Sequence, residues 1–140
     1  MEVSLRLPIE ATMAGSRSVR ILFVGGDERQ ALHDDRVRRM LEVSYPWIEV
    51  RFIHTGWASN WGKYADQIAR LIPNYDALVV MSLVPTKLGR AVRKAAGKHG
   101  TPWHACTGRG PESIVKSIVS ADGLVRRQTF RTLSNVGECA

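Results

Sequence analysis

The chain has 140 residues, about one domain's worth, and its 44% hydrophobic and 24% charged side chains are the composition of an ordinary soluble protein able to bury a core. Twenty Lys and Arg against 13 Asp and Glu give a net charge of +7. No run of about eighteen apolar residues occurs, which excludes a membrane-spanning helix, and the first residues carry Glu2 and Glu10 without a continuous apolar stretch, which argues against a signal peptide. A cytoplasmic protein is therefore expected, with Cys106 and Cys139 as reduced thiols, since their spacing matches no metal or redox motif.

Residues 19–24 are a β-branched, apolar run stopped by Gly25 and Gly26, the pattern of a buried strand. Asp27 with Gln30 three positions later resembles a capping box and predicts a helix to about Val43, with His33, Val37, Met40 and Leu41 on one face. Tyr45-Pro46 breaks that helix, and residues 48–54 read as a second strand. Thr55-Gly56 turns the chain, and Asn60 is the expected N-cap of the next helix. There Trp61, Tyr64, Ala65, Ile68, Leu71 and Ile72 make the clearest amphipathic stripe of the sequence.

Pro73-Asn74 ends the stripe, and residues 77–81 form a third, wholly apolar strand. Pro85-Thr86 opens a third helix that reaches Lys98 and is closed by Gly100, with Leu88, Val92, Ala95 and His99 predicted to face inward. Residues 103–107 are a short fourth strand. Gly108-Arg109-Gly110-Pro111 then leads into a last helix, with Pro111 at its first position and Ile114, Val115, Ile118 and Val119 facing inward.

Strands alternating with helices through short connections imply βαβ units and a parallel sheet covered on both faces. The expected fold is an α/β, Rossmann-like three-layer sandwich over residues 18–121, with four parallel strands in the order 2-1-3-4. Outside it lie an N-terminal arm, residues 1–17, whose alternating Val3, Leu5 and Leu7 suggest an edge strand, and a C-terminal tail, residues 122–140, without a clean period. These arms are expected either to be disordered or to pack on a second subunit, covering sheet edges in a homodimer.

Ligands of such sheets bind beyond the carboxyl ends of the strands, at the point where the strand order reverses. The residues expected there are Gly25, Gly26, Thr86, Lys87, Gly108 and Arg109, a combination of glycine-rich backbone and cations suited to a nucleotide- or phosphate-type anion. The charge is local. Residues 77–111 contain no acid, yet hold Lys87, Arg90, Arg93, Lys94, Lys98 and Arg109, six of the seven excess charges. Lys87, Arg90, Arg93, Lys94 and Lys98 lie on the third helix, whose polar face is either merely solvated or a surface for nucleic acid or another acidic macromolecule. Trp57 falls in the loop over the expected site, as a lid or as packing, while Trp61, His54 and His104 read as structural.

Several chemistries are excluded by missing residues. Gly25-Gly26-Asp27-Glu28 is followed by no Gly-Lys-Ser/Thr and is not Gly-x-Gly-x-x-Gly, and the second strand ends in His54 rather than a ribose-binding acid. A receiver domain requires an aspartate at the end of the third strand, where Met81-Ser82 stands. Cys106 precedes a glycine-rich turn and a helix N-terminus, an arrangement that lowers a thiol pKa and suits a nucleophile. The phosphatase loop, however, places Arg six residues after its cysteine, where this chain has Glu112. The alternative for Cys106 is a small buried residue on a short strand.

Val24-Gly25-Gly26, His54-Thr55-Gly56, a Val84-containing turn before a Lys/Arg-rich helix, His99-Gly100-Thr101-Pro102, and Thr107-Gly108-Arg109-Gly110 with Ser113 together resemble the DUF2325 family of small bacterial domains of unassigned function. The resemblance covers residues 20–119 and implies the same α/β fold and site position. Members typically carry Asp-x-Val-Ser-His after the third strand, whereas Ser82, Leu83, Val84, Pro85 and Thr86 stand here, so any chemistry or metal of that motif is not expected. The leading expectation is a non-catalytic module for an anionic small molecule or acidic partner, with no cofactor assigned. Two alternatives stay open: a nucleic-acid-associated protein using the basic helix, and a thiol-dependent enzyme using Cys106.

Overall fold

The computed structural model describes residues 18–57, 60–82 and 84–139. In chain order the elements are β1 (Val19–Val24), α1 (Glu28–Ala31), α2 (Asp34–Ser44), β2 (Ile48–Ile53), α3 (Trp61–Leu71), β3 (Ala77–Met81), α4 (Thr86–Lys98), β4 (Trp103–Cys106) and α5 (Pro111–Cys139), with a 3-10 turn at Ile72–Asn74. All strand pairs are parallel and the sheet order is β2-β1-β3-β4, as the alternation of elements predicts. The expected N-terminal edge strand in residues 1–17 lies outside the described residues. Among the described residues no helix is long and apolar enough to cross a membrane.

β1 is central, and from Ile21 onward both of its faces are buried, which is why it reads as an apolar run interrupted only by the exposed Arg20. Ile21 and Phe23 meet Val37 and Leu41 of α2 and Ile114 and Ile118 of α5, whereas Leu22 and Val24 meet Ile68 of α3 and Leu88 and Val92 of α4. Two apolar cores thus sandwich one sheet. Each fully buried Leu, Ile or Phe contributes roughly 1.5–3 kcal/mol of transfer free energy.

The structure departs from the sequence reading in three places. The first helix is divided, because the His33 N–H bonds back to Gln30 O in a tight turn and helix resumes at Asp34. The predicted capping box is present: the Asp27 side chain accepts from Arg29 N, and the Gln30 side chain accepts from Asp27 N. On α4 the buried positions are Leu88, Gly89, Val92 and Ala96, while Ala95 is half-buried and His99 exposed. The inner stripe is therefore rotated toward β4 and away from His99.

The third departure is the largest. The last helix does not give way to an irregular tail at residue 122 but runs to Cys139. Asp122 explains why the apolar period lapses there. Its carboxylate is 2% exposed, accepts from Trp47 Nε1 at 3.2 Å, and pairs with Arg126 Nη2 at 2.7 Å. The Arg126 guanidinium also lies 4.6 Å from the Trp47 ring centroid. A hydrogen-bonded carboxylate occupies a position where periodicity calls for a hydrophobe, and the helix continues over it.

Candidate functional site

The carboxyl ends of the strands form a rim with two unlike halves. Over β1 and β2 two successive glycines turn the chain, Gly25 at φ +119° and Gly26 at φ +79°. A Cβ on Gly26 would lie 2.9 Å from Gln30 Cβ and 3.0 Å from Met81 Sδ, so both conformation and space require glycine. The Gly25 N–H donates to Ile53 O, the Gly56 N–H to Gly26 O, and the Asp27 N–H to the Gln30 side chain. The amides of Gly25 and Asp27 are engaged within the protein, so Gly25 builds the turn instead of presenting a donor to a ligand.

His54, at the end of β2, cross-links this half. Its Nδ1 lies 3.0 Å from Gly25 O, and its Nε2 lies 3.0 Å from both carboxylate oxygens of Asp34. The ring stacks on Phe52, with centroids 5.8 Å apart and 10° between planes. A carbonyl and a carboxylate are both acceptors, so the arrangement is fully satisfied when a proton lies on each side of the imidazole. The expectation of a structural role for His54 agrees with this pairing, but the partner, Asp34, was not legible from spacing. Asp27, Glu28, Asp34 and Asp35 surround this half, with Arg29 among them.

The half over β3 and β4 has the opposite character. α4 begins at Thr86 behind Pro85, with no side chain capping its first amides and no acid in its first turn. Thr86 and Lys87 are exposed there, and Arg109 is exposed in the loop after β4. Uncapped amides, the helix dipole and two cations favour negative charge at this end of the sheet. Gly108 is held by space, since a Cβ there would collide with the Ser113 side chain at the start of α5. The first carboxylate on this side is Glu112, in the opening turn of α5.

The five α4 cations are not all rim residues. α4 runs away from the rim, so Lys87 stands at the rim end while Arg90, Lys94 and Lys98 continue down its exposed face, about 16 Å from first to last. Arg93 is half-buried, its guanidinium 5.5 Å from the centroid of Trp103 on β4. The structure thus assembles Thr86, Lys87, Gly108 and Arg109 on one half of the rim, and places Gly25 and Gly26 on the other.

Cys106 is fully buried, with Sγ 3.4 Å from Gly108 O and 3.9 Å from Ser113 O. Burial pushes its thiol pKa up, and the Ser117 side chain and the Gly108 backbone offset that only in part. Of the two readings of Cys106, burial and the raised pKa favour the small buried residue over the activated nucleophile. The strand carries it into the core below the glycine turn, so its sulfur is not exposed at the rim. Trp57, by contrast, is 64% exposed and packs neither as core nor as a closed lid. Trp103 and its contact with Arg93 were missed by sequence reasoning, because a tryptophan opening a short strand reads as packing. Among the described residues no group of three or more His, Cys, Asp or Glu is placed to hold a metal ion.

In comparisons with known proteins, no family model, no curated protein and no solved structure matches the chain.

Proposed function

We propose that this chain is a non-catalytic Rossmann-like module that holds an anionic ligand of nucleotide or phosphate type on the β3–β4 half of its rim. The observation that carries the proposal is the junction of an uncapped α4 N-terminus with Lys87 and Arg109 in a stretch, residues 77–111, that contains no acid. Thr86 and the first amides of α4 supply directional donors, and Lys87 and Arg109 supply charge. Gly108 keeps the β4 turn close to α5, and Gly25 and Gly26 shape the facing wall without donating from Gly25. Membership of the DUF2325 family belongs to the same proposal and rests on the motifs that resemble it.

Calorimetric titration with ATP and with inorganic pyrophosphate at low salt tests the reading. Saturable binding that weakens in Lys87→Ala and Arg109→Ala supports it. Absence of binding by both probes, or binding indifferent to both substitutions, sinks it.

A further inference from the structure

Beside α4, on the face that carries the second core, the edge strand β4 is left partly uncovered. Trp103 pairs in register with Leu78, and Ala105 with Val80. Leu78 and Val80 are buried under α3 and α4, yet Trp103 remains 39% exposed and Ala105 is exposed. The helix covers β3 and stops short of β4. Arg93 of α4 lies over the indole, and Arg90, Lys94 and Lys98 are exposed on the outward face of the same helix.

We infer that this shelf is a binding surface for single-stranded nucleic acid, the indole of Trp103 stacking an unpaired base and the α4 cations following the phosphates. Charge complementarity selects a polyanion. The four cations span about 12 Å of helix with successive axial spacings of about 6 Å or less, inside the Debye length of about 8 Å at physiological salt, and no acid interrupts them, so a strand laid along α4 meets a continuous positive field. The exposed aromatic ring selects unpaired bases, because a duplex keeps its base faces stacked internally while a single strand offers a π-face that an indole can accept. A second copy of the chain would bring the same basic stripe against this one, at a net charge of +7 each, and is disfavoured. The surface is separate from the rim site, and its test uses neither Lys87 nor Arg109.

The experiment is anisotropy of labelled oligothymidylate and oligouridylate of about twelve nucleotides, and of a duplex of equal length, at about 50 mM and 200 mM salt. Binding of the single strands that falls steeply with salt is expected, with the duplex weaker. Arg90→Glu with Lys94→Glu should weaken binding about tenfold or more. Trp103→Ala should weaken it about fivefold or more, and Trp103→Phe should retain most of the affinity. No single-strand binding at low salt, a duplex bound as tightly as the strands, or Trp103→Ala binding like the parent protein overturns the proposal. So does anionic vesicle binding by a protein that ignores the oligonucleotides. Should Trp103→Ala fail to fold, Trp103→Phe and the charge-reversed double variant, all changed at exposed positions, decide the outcome.

Discussion

The two halves of the rim are built from similar parts, a strand end, a glycine turn and a helix start, and yet they are opposite in use of their polar groups. Over β1 and β2 the groups bond to one another: Gly25 to Ile53 and His54, Gly26 to Gly56, Asp27 to Gln30, and His54 to Asp34. Over β3 and β4 the first turn of α4 has neither a capping side chain nor an acid, Lys87 stands exposed within it, and Arg109 is exposed in the loop after β4. Internal satisfaction makes the first half a clamp, whereas a helix start without a side-chain cap and local positive charge are what support the proposal of an anion on the second half. A glycine turn at a strand end is therefore not evidence of a ligand until the destination of its amides is known.

The comparison is broken most severely at Gly26. Gly26→Ala forces a side chain into a positive-φ residue and against Gln30 and Met81, and should cost about 3 kcal/mol in chemical denaturation. Next, His54→Ala leaves Gly25 O and Asp34 without their shared partner and should cost about 1–3 kcal/mol, without weakening pyrophosphate binding. Loss of that binding would show that the clamp belongs to the site.

Between the halves and the core sits Cys106, whose thiol should react with iodoacetamide at least about tenfold more slowly in the folded protein than in denaturant, read by peptide mapping. Its folded pKa is raised, so the unfolded chain loses the proton first. Its contribution to stability is thus intact below the unfolded thiol pKa and is lost as pH rises toward the folded value, a decline that Cys106→Ala should remove.

Smaller effects sharpen the contrast. Lys87→Ala and Arg109→Ala should each lower pyrophosphate affinity about fivefold while changing stability by less than about 0.5 kcal/mol, since both side chains are exposed. Smallest of all, Glu28→Gln on the opposite half should raise low-salt affinity by less than about twofold, a gain that disappears at high salt.

Most of the fold was legible because parallel strands buried on both faces and amphipathic helices leave strong periodic marks; Val19–Val24, Ala77–Met81 and the Trp61 stripe are examples. The length of α5 was not, because the residue that carries it past Ala121 is a buried aspartate whose partners, Trp47 and Arg126, include one 75 positions away. The same reason hid Asp34 from His54. Charge along the sequence located the excess of cations and separated Lys87 and Arg109 at the rim from the cations of the helix face, but not the contact of Arg93 with Trp103, which is a property of the folded chain. Trp103 was hidden by a near miss in coverage, with α4 shielding β3 and leaving its neighbour half open.

The division of the interior into two cores also sets an order for biosynthesis. Every residue of the core between the sheet and α3 and α4 has been made once Ala96 is polymerised, whereas the opposite core requires Ile114, Ile118 and Ala121 of α5. At ordinary elongation rates, about one to five seconds separate the two. During that interval this face of the sheet has α2 but not α5 to cover it, leaving part of Val79, Met81 and their neighbours open to water, so the nascent chain is most vulnerable to aggregation, and most attractive to a chaperone, just before α5 arrives.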